Sequence, residues 1–220
     1  MPLHSITPLP HGAILGLWRL TETTAELLPQ LPYPTVYQAL YPAGRDPTRA
    51  AQWAAGRLLV HALLPELTAA PATLANDANG RPYLTALPHY AVSLSHSGEW
   101  VAGIVAAQGR VGIDVELIRG KAQKLAPRFL SEAERADAGD DAAKYSLYWS
   151  AKETLYKLHS RRGLVFKEQL LLDPFWLREA GELTAHLLLE NSRSQHQLTY
   201  LRPAPGYVLT YCVELMNLEQ

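Results

Sequence analysis

The stretch VGIDVEL (residues 111–117) predicts a β-strand that carries two acidic side chains in an apolar setting. Side chains alternate across a strand, so Asp114 and Glu116 point to one face, and Ile113 and Val115 point to the other. Two carboxylates this close repel each other, and partial burial strengthens the repulsion. We therefore expect compensation by solvent, by a basic partner or by a divalent cation such as Mg²⁺, which takes oxygen ligands. The alternative is a half-exposed strand whose outer face is simply hydrated.

A predicted helix at residues 143–160 supplies further candidates for the same site. Trp149, Glu153 and Lys157 recur at every fourth position and therefore share one face. An exposed Glu–Lys pair at this spacing is common and stabilises a helix by only about 0.2–0.5 kcal/mol. The tryptophan on the same stripe favours a covered face, where Glu153 needs a partner. A cation held together with the two strand carboxylates would be that partner.

Polar and basic residues upstream predict a region that binds phosphate. Ser95 and His96 lie in SLSHSG (93–98), and a turn there would offer hydroxyls, an imidazole and backbone N–H groups to an anion. Arginine suits bidentate phosphate recognition. The candidates are Arg49, Arg57 and Arg81. Each feature also has an ordinary alternative, namely a serine-rich hairpin turn or a solvated surface charge.

The remaining pattern predicts short strands and turns around a few helices. A proline-rich connection is expected before the first long helix, and the residues after 160 read as strands to Val213. Ser131 followed by Glu134 forms a capping-box pattern at the start of a helix. The predicted strands are 12–20, two within 90–107, and 110–118, and the predicted helices are 48–64, 130–138 and 143–160.

Composition limits the possible classes of protein. The chain has 220 residues, of which 48% are hydrophobic, enough for one large domain or two small ones. With 20 basic and 21 acidic residues, it has no bulk attraction to nucleic acid or to an anionic membrane. Its single cysteine, Cys212, excludes a disulfide framework within one chain. No signal-peptide pattern or membrane-length apolar run is present, so we expect a cytoplasmic protein.

A weak internal repeat indicates two similar halves. In the helix at 48–64, Arg57 follows Trp53 by four residues, and in the helix at 143–160, Glu153 follows Trp149 by four. Each helix is followed by a glycine-containing turn and later by a pair of strands around another glycine.

Taken together, these stretches identify a family resemblance. The sequence resembles the 4′-phosphopantetheinyl transferases, and specifically the monomeric surfactin-type group with two similar halves. The combination of VGIDVE with W-x-x-K-E-x-x-x-K some thirty residues later is the most specific part. The resemblance runs from about Arg49 to about Phe166. The matching stretches are AGRLL (55–59), NGRPYL (79–84), SLSHSGEW (93–100), VGIDVE (111–116), FLSEAE (129–134) and WSAKETLYK (149–157).

The resemblance implies a fold, an activity and a set of site residues. The fold is α+β, with two pseudo-symmetric half-domains, residues 1–109 and 110–220, each a helix packed on a small antiparallel sheet. The activity is Mg²⁺-dependent transfer of phosphopantetheine from coenzyme A to a serine of an apo acyl or peptidyl carrier protein, leaving adenosine 3′,5′-bisphosphate. The implied Mg²⁺ ligands are Asp114, Glu116 and Glu153. The implied catalytic residues are Lys157, Asp114 and Glu153, the last as the base either directly or through a metal-bound water. The implied coenzyme A contacts are Arg49, Arg57, Arg81, Ser95, His96 and Lys157.

Two other functions are compatible with parts of the pattern. A binding module could keep the fold and its nucleotide affinity without catalysing transfer, although all three carboxylates and Lys157 are present. An unrelated Mg²⁺-dependent phosphotransferase or nuclease could use the same carboxylates. No P-loop motif supports a nucleoside triphosphate enzyme, and the net charge of −1 disfavours a nuclease.

The segment RGKAQKLAPRF (119–129) is the candidate docking region for a carrier protein. Carrier proteins are usually acidic, and this segment places four basic residues directly after the predicted metal strand: Arg119, Lys121, Lys124 and Arg128. The alternative is a solvated linker.

Overall fold

The computed structural model describes residues 2–42, 44 and 46–215, and it separates into two compact units. One unit comprises Met1–Val111 together with the segment that begins at Val213, and the other comprises Gly112–Cys212. Both units combine helices with sheets whose measured strand pairs are antiparallel. The predicted α+β class is therefore confirmed.

The first unit has a four-stranded sheet in the order β1-β2-β6-β5 and a small two-stranded sheet, β3-β4. Single turns of 3₁₀ helix occur at Pro10–Gly12, Leu28–Gln30 and Leu64–Glu66. The strands are β1 Leu3–Leu9, β2 Ala13–Arg19, β3 Leu74–Asn76, β4 Pro82–Leu84, β5 Ala91–Ser97 and β6 Trp100–Ala106, and the helices are α1 Thr24–Leu27, α2 Pro34–Leu40 and α3 Pro47–Leu63.

Helix α3 forms the centre of this unit, and its ends are encoded locally. The Asp46 side chain accepts hydrogen bonds from the backbone N–H groups of Thr48 and Arg49, and Pro47 occupies the first helical position, where its missing N–H costs nothing. Its alanine- and leucine-rich face packs into a core with β2, β5 and β6. The predicted helix at 48–64 is confirmed.

The proline-rich connection before α3 is more ordered than the sequence predicts. It contains α1 and α2, and Pro34 begins α2. Proline is tolerated in the first turn of a helix, where no backbone donor is lost, so proline density alone does not indicate a loop. The prediction of a plain connection was wrong for these eleven helical residues.

The second unit has a five-stranded sheet in the order β7-β11-β10-β9-β8, with helices packed against it. The predicted strand at 110–118 and helix at 143–160 are confirmed. The strands are β7 Arg110–Leu117, β8 Leu170–Leu172, β9 Ala180–Leu189, β10 Ser192–Leu201 and β11 Tyr207–Glu214, and the helices are α4 Gly120–Phe129, α5 Glu132–Ala138, α6 Ala142–His159 and α7 Phe166–Gln169.

Helix α6 lies unusually close to β7, and Gly112 permits this approach. A Cβ at Gly112 would clash with the carbonyl oxygen of Thr154. A buried hydroxyl network fixes the same contact, because Ser150 donates to the carbonyl of Asp114 and also hydrogen-bonds Thr210. The strand that carries the carboxylates is thus held directly against the helix that carries Glu153.

Glu134 connects several elements of this unit inside the core. Its carboxylate accepts from the Ser131 backbone N–H, which confirms the predicted capping box, and from the Leu172 backbone N–H. It also receives the ammonium of Lys152 at 2.7 Å. Lys152 is fully buried and additionally donates to the carbonyl oxygens of Phe129 and Phe166. Burial lowers the pKa of Lys152, and the charge of Glu134 opposes that effect.

The basic segment 119–129 forms helix α4 and not a solvated linker. Ala126 and Phe129 are buried, and Ala122 and Leu125 pack against the same core. The four basic residues of the segment are exposed. None of the helices in the described part of the chain combines the length and apolar content needed to cross a bilayer.

Candidate active site

The carboxylate of Asp114 is buried, not hydrated. Its residue is only 3% exposed, which excludes a simple wet strand face as the reason for this acid. Lys157 Nζ lies 2.7 Å from Asp114 Oδ1 and also donates to the carbonyl oxygen of Ile113 at 3.0 Å. The half-buried lysine therefore has its position fixed by β7. The predicted association of Asp114 with the α6 stripe is present.

Glu153 faces the same cluster and has an altered acidity. Burial, followed by the negative charge of Asp114, raises the pKa of its carboxyl from 4.5 to about 7, and the charge of Lys157 partly offsets this. A carboxyl with this pKa exchanges a proton readily near neutral pH, as a general base must.

Glu116 is held by the tryptophan of the stripe. Trp149 Nε1 donates to Glu116 Oε1 at 2.9 Å. The indole is in turn packed between aromatic rings, with the Phe129 centroid 4.9 Å and the Phe166 centroid 5.8 Å away. Trp149 therefore orients a carboxylate as well as covering the helix face.

These three carboxylates fit a hard divalent cation by their chemistry. They supply oxygen ligands only, and the pKa of Glu153 is raised by burial first and then by the negative charge of Asp114, which a cation would neutralise. Among the residues that the structure describes, no group of three or more His, Cys, Asp or Glu side chains is arranged to hold a metal ion. The set of Asp114, Glu116 and Glu153 as Mg²⁺ ligands therefore stays a prediction.

The first unit contains a separate pocket of about 540 Å³. It lies between α3, the end of β5 and the turn before β4. Four of the six residues predicted to contact coenzyme A line it: Arg49, Arg57, Ser95 and His96. Arg81 is exposed and is not among the lining residues, although its neighbours Gly80 and Pro82 are.

Ser95 and His96 reach this pocket from a strand, not from a turn. Pairing of β5 with β6 continues to Ser97, opposite Trp100, so both residues belong to β5. The expected phosphate-binding turn is therefore displaced to residues 98–99. His96 Nδ1 lies 3.2 Å from Arg49 Nη1. Since the guanidinium can only donate, a hydrogen bond here requires an unprotonated Nδ1.

Arg57 is buried against the wall of the pocket. Its guanidinium carbon lies 3.6 Å from the centroid of the Trp53 ring, and its nitrogens donate to the Trp53 carbonyl and to Asn76 Oδ1. Asn76 Nδ2 donates in turn to the carbonyl of Gly80. Arg57 thereby connects α3 to the Asn-Gly turn, which indicates that it positions the pocket wall.

Gln52 and Trp53 were not predicted, yet both line the pocket. Gln52 is 5% exposed, and its Nε2 donates to the carbonyl of Gly98. Its buried Oε1 has no hydrogen-bond partner among the residues that the structure describes. Spacing could have identified both residues, because they follow Arg49 by three and four positions and therefore share its helix face.

Comparisons with known proteins give consistent matches. The family model of the 4′-phosphopantetheinyl transferase superfamily matches residues 110–212. The chain is 34% identical to the 4′-phosphopantetheinyl transferase psf-1 of Bacillus pumilus, over 71% of this chain and 68% of that protein. It is 30% identical to the 4′-phosphopantetheinyl transferase Sfp of Bacillus subtilis (strain 168), over 60% and 59%. It is 31% identical to the 4′-phosphopantetheinyl transferase AcpT of Salmonella typhimurium, over 58% and 66%.

Proposed function

The chain belongs to the 4′-phosphopantetheinyl transferase superfamily, and from that premise we propose that it transfers the phosphopantetheine arm of coenzyme A to a serine hydroxyl of an apo carrier protein. The other product is adenosine 3′,5′-bisphosphate. The observation that carries the proposal is the cluster of Asp114, Glu153 and Lys157, in which a carboxyl with a pKa of about 7 lies beside a buried carboxylate and a fixed ammonium.

Glu153 is the proposed general base. The carrier serine attacks the phosphorus that bears the pantetheine arm, a new P–O bond forms to the serine oxygen, and the P–O bond to the nucleotide half breaks. The serine proton passes to the carboxylate of Glu153, directly or through a water molecule. In the metal-free protein the pKa of this carboxyl is about 7, which suits proton transfer near neutral pH. The leaving bisphosphate takes the electron pair of the broken bond.

Lys157 is the proposed electrostatic partner of the phosphates. Its ammonium is held at the carbonyl of Ile113 and at Asp114, so it needs no reorganisation when charge develops on the leaving oxygen. A Mg²⁺ ion bound by Asp114, Glu116 and Glu153 would neutralise the pyrophosphate and relieve the repulsion between the carboxylates. Trp149 would keep Glu116 turned towards that set.

The pocket of the first unit is the proposed site for the nucleotide end of coenzyme A. Arg49 and His96 offer a cation and an imidazole for the 3′-phosphate, and Ser95 adds a hydroxyl. Gln52 offers a buried acceptor oxygen, which would suit an amino or hydroxyl donor of the nucleotide. Arg57 holds the wall of this pocket and acts as a positioning residue.

Helix α4 is the proposed docking surface for the carrier protein. Lys121, Lys124 and Arg128 follow one another at spacings of three and four, so they form one exposed basic face on a helix whose other side is buried. Such a face suits an acidic helical carrier. Exposed charges of this kind act mainly on encounter rate and on choice of partner.

A single assay separates this proposal from its alternatives. The protein is incubated with coenzyme A, Mg²⁺ and an apo carrier protein, and the carrier is then weighed by mass spectrometry. We expect a mass increase of one phosphopantetheine group on the carrier serine, and none when that serine is replaced by alanine. Binding of coenzyme A without any mass change would instead indicate a binding module. Hydrolysis of coenzyme A without transfer would indicate a different phosphate-cleaving enzyme.

A further inference from the structure

A pair of histidines lies in the second unit, apart from the carboxylate cluster. His159 is in the last turn of α6, and His196 is on β10, with its side chain buried at 4% exposure. Their Nε2 atoms are 3.1 Å apart. His159 follows Lys157 by two positions, about 200° around the helix, so the pair lies on a different face of α6 from the catalytic stripe. The proposed function does not use either histidine.

We propose that His159 and His196 chelate a transition-metal ion of the Zn²⁺ class through their Nε2 atoms. Zn–N bonds to histidine are about 2.0–2.1 Å long. Two such bonds to nitrogens 3.1 Å apart enclose an angle of about 98° at the metal, which lies between octahedral and tetrahedral values. The two nitrogens are therefore already at a chelating separation.

The orientation of the rings supports chelation over a simple contact. The ring centroids are 4.7 Å apart and the Nε2 atoms 3.1 Å apart, a difference of 1.6 Å. In a head-on N–H···N hydrogen bond the centroids would be farther apart than the nitrogens by two ring radii, about 2.3 Å, because hydrogen bonds prefer linearity. The rings, which are inclined at 79° to each other, therefore do not meet head-on, and this orientation is compatible with two ligands of one ion.

A third polar atom lies at the same place. Ser194 Oγ is 2.7 Å from His196 Nε2, so that nitrogen has both a hydroxyl and a second imidazole within hydrogen-bond distance. A hydroxyl beside the pair could bind the ion or hold a water molecule on it. His159 and Ser194 are half-buried, which leaves access for water to complete the coordination. Imidazole ligands select Zn²⁺, Cu²⁺ or Ni²⁺ over Mg²⁺.

The consequence would be a metal link between the end of α6 and the sheet. An ion that binds only the folded protein stabilises it by mass action. At a free ion concentration about a hundredfold above the dissociation constant, the unfolding midpoint should rise by roughly 5–10 °C for a chain of this size. Because Glu153 and Lys157 precede His159 on α6 by six and two residues, less than two helical turns, this link would fix the end of the catalytic helix.

The test is titration of the metal-free protein with Zn²⁺ in a large excess of Mg²⁺, followed by calorimetry and by the unfolding midpoint. The excess Mg²⁺ occupies carboxylate sites and does not compete for imidazole. We expect one equivalent of Zn²⁺ to bind wild type, Glu153→Gln and the exposed-histidine control His89→Gln alike. His159→Gln and His196→Gln should each weaken binding at least tenfold and lose the rise in midpoint.

Three results would overturn the site. The first is unchanged Zn²⁺ binding in His159→Gln, a half-buried position where glutamine should not disturb folding. The second is loss of binding in Glu153→Gln with retention in both histidine variants, which would assign the ion to the carboxylates. The third is absence of stoichiometric binding to wild type. The transfer assay is independent of all three results, so failure here leaves the proposed activity unaffected.

Discussion

The long helices α3 and α6 each place a charged residue four positions after a tryptophan, but the contacts made by the charged group differ between the two helices. In α3, the cation of Arg57 lies over the Trp53 ring, and its two Nη atoms donate to two oxygens of the same unit. In α6, Trp149 donates to Glu116 instead, and Glu153 faces the buried Asp114. The same spacing thus produces a hydrogen-bonded pocket wall in one unit and, in the other, a cluster of carboxyl groups that repel each other.

The comparison teaches that the two helices carry different parts of the proposed reaction. A charge that already has several partners in the protein can shape a pocket, but it has less energy to gain from a ligand. A cluster of like charges gains much from a cation or phosphate, and this difference is what catalysis can use. Changes in α6 and β7 should therefore affect turnover, and changes in α3 should affect binding.

The largest effect is expected at Asp114. Asp114→Asn keeps the shape of the side chain but removes the charge beside Lys157 and Glu153, and we expect the transfer rate to fall about 10³-fold. The fold should persist because one source of repulsion is removed with the charge. The measurement is the turnover of an apo carrier at saturating coenzyme A and Mg²⁺. Asp140→Asn, an exposed acid before α6, is the control, and near-normal turnover of Asp114→Asn would refute the site.

A smaller effect concerns pH and Glu153. The folded protein binds the Glu153 proton more tightly than the unfolded chain, since its pKa is about 7 against 4.5. The free energy of unfolding of metal-free protein should therefore fall as pH rises through this interval and stay reduced above it. Glu153→Gln removes this loss and should stabilise the protein at alkaline pH by about 1–2 kcal/mol, a value discounted for partial exposure.

Urea denaturation in EDTA, at pH values on either side of the interval, measures this difference. The exposed Glu190→Gln serves as the control because it should reproduce the wild-type pH dependence. If wild type and Glu153→Gln lose stability in parallel as the pH rises, the carboxyl of Glu153 is not the strained group. Added Mg²⁺ should stabilise wild type at alkaline pH more than it stabilises Glu153→Gln.

In α3, the expected effect is on binding. Arg57→Lys keeps a positive charge but loses the stacked planar contact with Trp53 and the second hydrogen bond. We expect KM for coenzyme A to rise about tenfold, with kcat nearly unchanged, because one well-made contact of the pocket wall is lost. Steady-state kinetics with coenzyme A as the varied substrate give the answer. A fall in kcat at constant KM would contradict the division of roles between the helices.

The smallest effect is expected on the surface of α4. Reversing Lys121 and Lys124 to glutamate should raise KM for an acidic carrier about threefold at low salt and leave KM for coenzyme A unchanged. The matched control reverses Arg161 and Arg162, an exposed pair after α6 with the same change in charge. Equal effects of the two double variants, or no effect at all, would remove α4 as the docking surface.

The strongly periodic parts of this fold could be predicted, and the site could be predicted in part. Helices α3 and α6 have capping residues at their starts and apolar faces at helical spacing. Strand β7 is recognisable because its side chains alternate between two faces. Helix α2 could not, because it is seven residues long and begins with proline. Its stability comes from tertiary contacts such as the buried Tyr37, which local sequence does not report.

Contacts between residues that are far apart in the sequence could not be predicted either. The stripe on α6 indicated that Glu153 and Lys157 share a face, but the contact of Lys157 with Asp114 depends on the close approach that Gly112 allows. The indole of Trp149 was expected only to cover its face, and its hydrogen bond to Glu116 spans thirty-three positions of sequence. The spacing of residues in the sequence identifies which side chains belong to such a site, whereas tertiary packing determines which residues they contact.

The three-way connection at Glu134 limits how this unit can change through single mutations. Its carboxylate serves the start of α5, an N–H of β8 and the buried ammonium of Lys152 at once. Replacing Lys152 alone leaves a carboxylate without its counter-charge in the core, and replacing Glu134 alone leaves a buried ammonium, each at a cost of about 3–5 kcal/mol. Apolar residues could replace this ion pair only if both positions changed together. Two backbone N–H groups that now donate to Glu134 would then need new acceptors. Stepwise mutation therefore meets a barrier here on either route, so related chains that differ at one of these positions should differ at the other as well.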